Sequence, residues 1–91
     1  MSTIRVERKH QLGKEVARQK AERLVDKLVS KYDMNAEWKG DVVELTRSGV
    51  TGQVAVGEDN VVVELKLGMM LSMMGPMIES EVDRALDKAL A

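Results

Sequence analysis

The chain has no cysteine and no phenylalanine, and only one proline, one tryptophan, one tyrosine and one histidine. Without cysteine there is no disulfide framework, no thiolate metal site and no cysteine nucleophile, a usage that fits a reducing cytoplasm. The lone His10 has no second histidine or cysteine to complete a nucleophilic or metal-ligating constellation. Next to Arg8 and Lys9 it reads as an ordinary exposed side chain. No apolar run approaches the ~20 residues needed to cross a bilayer, and Met1-Ser2-Thr3-Ile4-Arg5 lacks the apolar core of a signal peptide. These absences predict a cytoplasmic protein with no cofactor, no metal site, no catalytic constellation and no transmembrane segment.

Ninety-one residues suit one domain, spanning 1–91. A chain of this length buries only a little over ~60% of its unfolded surface, so its core is thin and a roomy internal cavity is not expected. The net charge of −1 hides a division along the chain. Residues 1–31 carry nine basic groups against four acids, a balance of +5, while residues 32–91 carry five against eleven, a balance of −6. Such halves neutralise each other within one fold, attract a second copy, or attract separate partners.

The register of a four-stranded antiparallel meander can be counted from Ala36 to Leu67. With Gly40-Asp41 and Ser48-Gly49 as two-residue loops and Gly57 to Asn60 as a four-residue loop, Trp38 faces Val43 and Ala36 faces Leu45. The same count sets Val43 opposite Val54, Leu45 opposite Gly52, Val54 opposite Val63, Gly52 opposite Leu65 and Val50 opposite Leu67. All of these fall on one face. The other collects Glu37, Lys39, Glu44, Thr46, Thr51, Gln53, Glu64 and Lys66, with Val42, Ala55 and Val62 as apolar exceptions. A one-residue slip would exchange the faces, so agreement across three turns fixes the register.

Before the meander, Thr3 to His10 alternates Ile4 and Val6 with charged residues, the pattern of an edge strand. From about Leu12 to Tyr32 the period changes. Ala17, Ala21, Leu24, Val25, Leu28 and Tyr32 recur at three- and four-residue steps, which predicts a long amphipathic helix closed by Asp33-Met34-Asn35. Its two early alanines and Gly52 suggest a close approach of helix to sheet, so that Gly52→Val would push the helix outward. Lys20, Arg23, Lys27 and Lys31 form a basic row beside the stripe. Glu22 is within helical reach of Arg18, and Asp26 of Arg23.

A terminal acidic helix buries Ile78, Val82, Ala85, Leu86 and Ala89, a stripe that extends back to Met74 and Leu71. Pro76 requires either a new helix start or a kink with Gly75 as the soft point. Glu79, Asp83 and Asp87 stand at four-residue intervals. With Arg84 and Lys88 interspersed they read as a solvated face, because hard cations usually take oxygens from loops or several elements.

Between the meander and this helix lie Met69, Met70, Met73, Met74 and Met77. Methionine fills irregular gaps in a core, but it also makes adaptable contact surfaces, and here four of the five fall off the buried stripe. Core filling, a dimer interface and a hydrophobic contact surface would look alike in sequence. The basic helix raises nucleic-acid binding, but the acidic remainder, the scarcity of aromatics and the absence of a binding module argue against it. Gly49-Val50-Thr51-Gly52 has the glycine spacing of a nucleic-acid-binding loop but falls on a hairpin.

The layout as a whole, with Arg8-Lys9-His10-Gln11-Leu12-Gly13, Trp38-Lys39-Gly40-Asp41, Arg47-Ser48-Gly49-Val50-Thr51-Gly52 and the Leu67-Gly68 junction, resembles the polyhydroxyalkanoic acid system family. These are small bacterial proteins associated with gene regions for polyester storage granules. The resemblance implies a granule context and carries no catalytic residues with it. The fold expected is α+β, a single antiparallel sheet in β-α-β-β-β-β-α order with both helices on one face, like a miniature helix-grip. The expected function is that of a non-enzymatic accessory protein of polyhydroxyalkanoate metabolism, acting at the granule surface or through a granule-bound partner. Met69, Met70, Met73, Met74 and Met77 would supply hydrophobic contact, and Lys20, Arg23, Lys27 and Lys31 a basic surface. Homodimerisation through the methionine segment is compatible with this. The alternative is a small carrier of a lipid or hydroxyacyl ligand, held in a slit lined by Trp38, Leu45, Val54, Leu65 and the junction methionines.

Overall fold

The computed structural model describes residues 2–69 and 71–90. The elements run β1 (Ser2–Lys9), α1 (Lys14–Tyr32), β2 (Asn35–Lys39), β3 (Val42–Arg47), β4 (Val50–Val56), β5 (Asn60–Leu67), a 3-10 turn (Ser72–Met74) and α2 (Gly75–Leu90). One five-stranded sheet has the spatial order β1-β5-β4-β3-β2 and is antiparallel throughout. This is the α+β architecture expected from the alternation of strand and helix periods.

The register agrees pair by pair with the count from the turns. Trp38 faces Val43, Leu45 faces Gly52, Val54 faces Val63 and Val50 faces Leu67. Gly40 has φ 63° and Gly49 has φ 84°, left-handed conformations that let their two-residue loops follow the twist of the flanking strands. The first strand extends the sheet from Ile4↔Leu65 and Val6↔Val63. The buried core gathers Ile4, Val6, Val43, Leu45, Val54, Val56, Val61, Val63, Leu65 and Leu67 from the sheet. Against them pack Ala17, Ala21, Leu24 and Val25 from α1 and Val82 and Leu86 from α2, so both helices cover the same face.

Helix α1 ends where Asp33 turns left-handed, φ 55° and ψ 48°, with Met34 N–H donating to the Val29 carbonyl at 3.2 Å. This closing bond satisfies a carbonyl that the last helical turn would otherwise leave open and aims the chain into β2. Helix α2 begins at Gly75, directly after the 3-10 turn, so Pro76 stands in the first turn. A missing N–H costs nothing there, because first-turn donors have no intrahelical acceptor. Of the two outcomes allowed for Pro76, the new start is the one adopted.

Three expectations need correction. Ala36 pairs with Leu45 as counted, yet it is exposed, because β2 is an edge strand that the helices cover only at Trp38. Gly52 does leave room for a neighbour, but that neighbour is the Leu65 side chain. A Cβ on Gly52 would come within 2.3 Å of Leu65 Cδ2 and 2.8 Å of the Glu64 carbonyl oxygen, so the space is taken by β5, not by α1.

The third correction is His10, which is only 8% exposed. Its backbone N–H donates to the Asp59 carbonyl at 2.9 Å, one residue beyond the Lys9↔Asn60 pair. Its Nδ1 accepts from the Leu12 N–H at 3.2 Å, leaving Nε2–H to donate to the Gly57 carbonyl, also at 3.2 Å. The ring therefore ties the start of the α1 approach to the β4–β5 loop, a structural use that consumes both of its nitrogens.

Candidate binding surface at the open end of the sandwich

At the end of the sandwich where α1 finishes and α2 begins lies an open apolar cleft of about 420 Å³. Its α1 wall is Leu24, Leu28 and Tyr32, its α2 wall Ile78, Val82 and Ala85, and its floor Val50, Leu65 and Leu67. The mouth is bordered by Leu71 and Met74 from the segment that joins β5 to α2 and by Met77 from the first turn of α2.

That joining segment is held by backbone bonds. Gly68 N–H donates to the Gly49 carbonyl at 2.8 Å, and Leu71 and Ser72 N–H groups return to the Gly68 carbonyl at 3.1 and 3.0 Å. The Ser72 hydroxyl also donates to that carbonyl at 3.0 Å. From this segment Leu71 packs toward the core, while the methionines face outward. Met69 is 82% exposed, Met73 89%, Met77 62% and Met74 45%. Met70 lies outside the described residues. Among the described residues of this segment, core filling is therefore not what the methionines do, and Met74, expected on the buried stripe, is also exposed.

Of the basic row, Lys27 and Lys31 line the cleft, and Lys20 and Arg23 lie outside its lining, nearer the N-terminal end of α1. A third cation at the cleft is Arg47, the last residue of β3, which was singled out in the sequence only as part of the Arg47-to-Gly52 stretch that carries the family resemblance. The available signal was positional: Arg47 pairs with Val50, and Val50 pairs with Leu67 at the start of the junction. The one acid of the lining, Glu81, is engaged. Lys31 Nζ stands 3.4 Å from its Oε1, and the Tyr32 hydroxyl donates to its other oxygen. Lys31 also sits 5.4 Å from the Tyr32 ring centroid, so these three groups make one polar knot at the rim.

The slit suggested for a carrier is only partly realised. Leu65, Met74 and Met77 line the cleft, while Trp38, Leu45 and Val54 do not. Trp38 is instead stacked under Arg18, whose guanidinium carbon is 4.0 Å from the ring centroid. Arg18 further pairs with Glu22 at 3.1 Å, as its helical spacing predicts, and with Asp41 at 3.3 Å. Lys14 Nζ reaches the other Asp41 oxygen at 2.6 Å. The hydrogen-bonded Lys14 ammonium, with Arg18 behind it, holds the Asp41 carboxyl below the usual carboxylate range against the smaller opposing effect of burial. The same bond raises Lys14 above the ordinary lysine value.

On α2, the acids read as a solvated face are partly committed. Arg8 pairs with Asp83 and, through Nε at 2.8 Å, with Asp87. On β1, the Asn60 amide donates to Glu7 at 2.8 Å and lowers that carboxyl's pKa. Among the described residues no helix is long and apolar enough to cross a membrane.

Comparison with known proteins adds a family and a fold relative. The solved structure "NMR structure of PA4090 from Pseudomonas aeruginosa" superposes with a TM-score of 0.60 at 13% identity, covering 97% of this chain and 83% of that one. At that identity the likeness is one of fold. No curated protein matches the chain. A family model described as "Putative polyhydroxyalkanoic acid system protein" matches residues 4–90, from the first buried strand residue to the end of α2. The chain belongs to that family of polyhydroxyalkanoic acid system proteins.

Proposed function

We propose that the protein is a non-enzymatic accessory of polyhydroxyalkanoate metabolism that works at the surface of the storage granule, directly or through a protein bound there. The observation that carries this reading is the exposure of Met69, Met73 and Met74 on the short, backbone-tethered segment before α2 and of Met77 in the first turn of α2. Small soluble domains rarely leave large apolar side chains clustered in water without a surface to meet, and methionine adapts to surfaces of irregular shape. Family membership supplies the process, and the flanking Lys27 and Lys31 give the patch a cationic margin suited to an anionic interface. A granule is intracellular, so this reading places the protein in the cytoplasm.

The test is co-sedimentation of the purified protein with polyhydroxybutyrate particles, beside a Met69→Ser, Met73→Ser double variant. Circular dichroism checks the fold of the variant and light scattering its mass. Both side chains are more than four-fifths exposed, so the variant should fold as the parent does and lose most of the bound fraction. Equal binding by parent and variant would remove the methionines from the interface. No binding by the parent, together with a dimer that the variant breaks, would assign the patch to self-association.

A further inference from the structure

The apolar cleft shares Met74 and Met77 with the methionine patch at its mouth but has a chemistry of its own. Apart from the Tyr32 ring its walls and floor are aliphatic, and its volume of about 420 Å³ lies toward the low end of the ~300–1,000 Å³ typical of small-molecule sites. Three cations, Lys27, Lys31 and Arg47, border it against the single acid Glu81. Glu81 is already shared by Lys31 and Tyr32, and among the described residues Lys27 and Arg47 have no ion-pair partner. An occupant that matches both parts needs an aliphatic body and an anionic head.

We infer that the cleft between α1, α2 and the β3–β4 hairpin binds a free, single-chain aliphatic carboxylate, its chain lying over Val50, Leu65 and Ala85 and its carboxylate at Arg47 and Lys27. The modest volume favours one chain over the two of a phospholipid. The head group falls to Arg47 because a planar guanidinium matches a carboxylate with two parallel hydrogen bonds. Lys27, on the facing helix, supplies the second positive charge. The inference is separable from the granule reading through Met69 and Met73, which do not line the cleft, although Met74 and Met77 belong to both surfaces.

The probe is decanoate at concentrations where it is monomeric, titrated into the protein and followed by calorimetry and by melting temperature. Decan-1-ol and acetate serve as the chain without the charge and the charge without the chain. Decanoate should bind with saturation and raise the melting temperature, and acetate should do neither. Arg47→Glu reverses a charge on an exposed residue, keeps the core intact and should weaken decanoate about tenfold, a loss equivalent to ~1.4 kcal/mol. Ala85→Trp, which fills the cleft from the α2 wall, should abolish binding. Met73→Ser should leave decanoate binding unchanged even where it lowers sedimentation with granules, so the two readings fail separately. The inference is overturned if decanoate does not bind, if decanol binds as tightly, if Arg47→Glu has no effect, or if a folded Ala85→Trp still binds. Binding only to anionic phospholipid vesicles would equally overturn it and make the rim a membrane contact.

Discussion

The two ends of this small sandwich use the same helix in opposite ways. At the closed end α1 presents Ala17 and Ala21, both essentially inaccessible, and behind them Val43, Val54 and Leu86 are sealed at 0–1% exposure. At the open end the same stripe continues as Leu28 and Tyr32, larger side chains that remain half-buried, and Ile78 and Ala85 on α2 are half-buried as well. Small residues let backbone approach backbone and leave no space. Larger ones hold the layers apart, and a thin core has no further side chains with which to fill the gap. The cleft thus follows the size gradient along one helical stripe, beside a junction whose Leu71 packs inward while its methionines stay exposed. The closed end provides stability and leaves the open end free to meet something else.

The sharpest way to break this contrast is a matched pair of truncations. Leu45 is fully buried opposite Gly52, so Leu45→Ala should cost ~2–5 kcal/mol in a denaturant melt, the lost transfer energy plus an unfilled cavity. Leu28 already borders solvent, and Leu28→Ala should cost only about 1 kcal/mol because little new void is created. Equal costs would mean that the open end is as tightly packed in solution as the closed one. Gly52 sits at the boundary between the two. Gly52→Val should cost ~1–3 kcal/mol by driving Leu65 and the Glu64 carbonyl away, and it should also reshape the cleft floor to which Leu65 belongs. Unchanged stability would show that Leu65 has an alternative rotamer ready, and the boundary would then be soft.

The sheet was more legible in the sequence than the cleft was, and the difference has a physical cause. Three turns specified one register, because each slip would have put Val43, Val54 and Val63 into water. The α1 stripe was equally plain from its period. By contrast, Arg47 at the rim, the Leu65 side chain over Gly52 and the burial of His10 all depend on how elements meet in space. His10 shows the limit well. Its charged neighbours argued for exposure, but one backbone bond beyond the strand end draws it under the β4–β5 loop, where two backbone groups use its ring. Methionine is ambiguous from sequence for a related reason: its flexibility suits a core and a surface equally, and only the exposure of Met69, Met73 and Met74 decides between them.

The smallest expected effect tests what keeps the closed end closed. Lys14 and Arg18, on the first turns of α1, both hold Asp41 in the β2–β3 loop, a clamp across the end of the sandwich opposite the cleft. Asp41 has a folded pKa below its unfolded one, so its contribution is fully present above the ordinary carboxylate range and lost as pH falls through the folded value. Lys14 is raised, so its contribution is present below the ordinary lysine range and lost as pH rises through the folded value. Stability should therefore hold level through neutral pH and fall on both sides. Glu7, lowered chiefly by the Asn60 amide, adds to the acid side alone. In melting temperatures measured across pH, Asp41→Asn should then flatten the alkaline fall and only reduce the acid one, because Glu7 remains. An alkaline fall left intact by Asp41→Asn would mean that the clamp does not couple Lys14 to folding, and that packing of Ala17 and Ala21 alone closes that end.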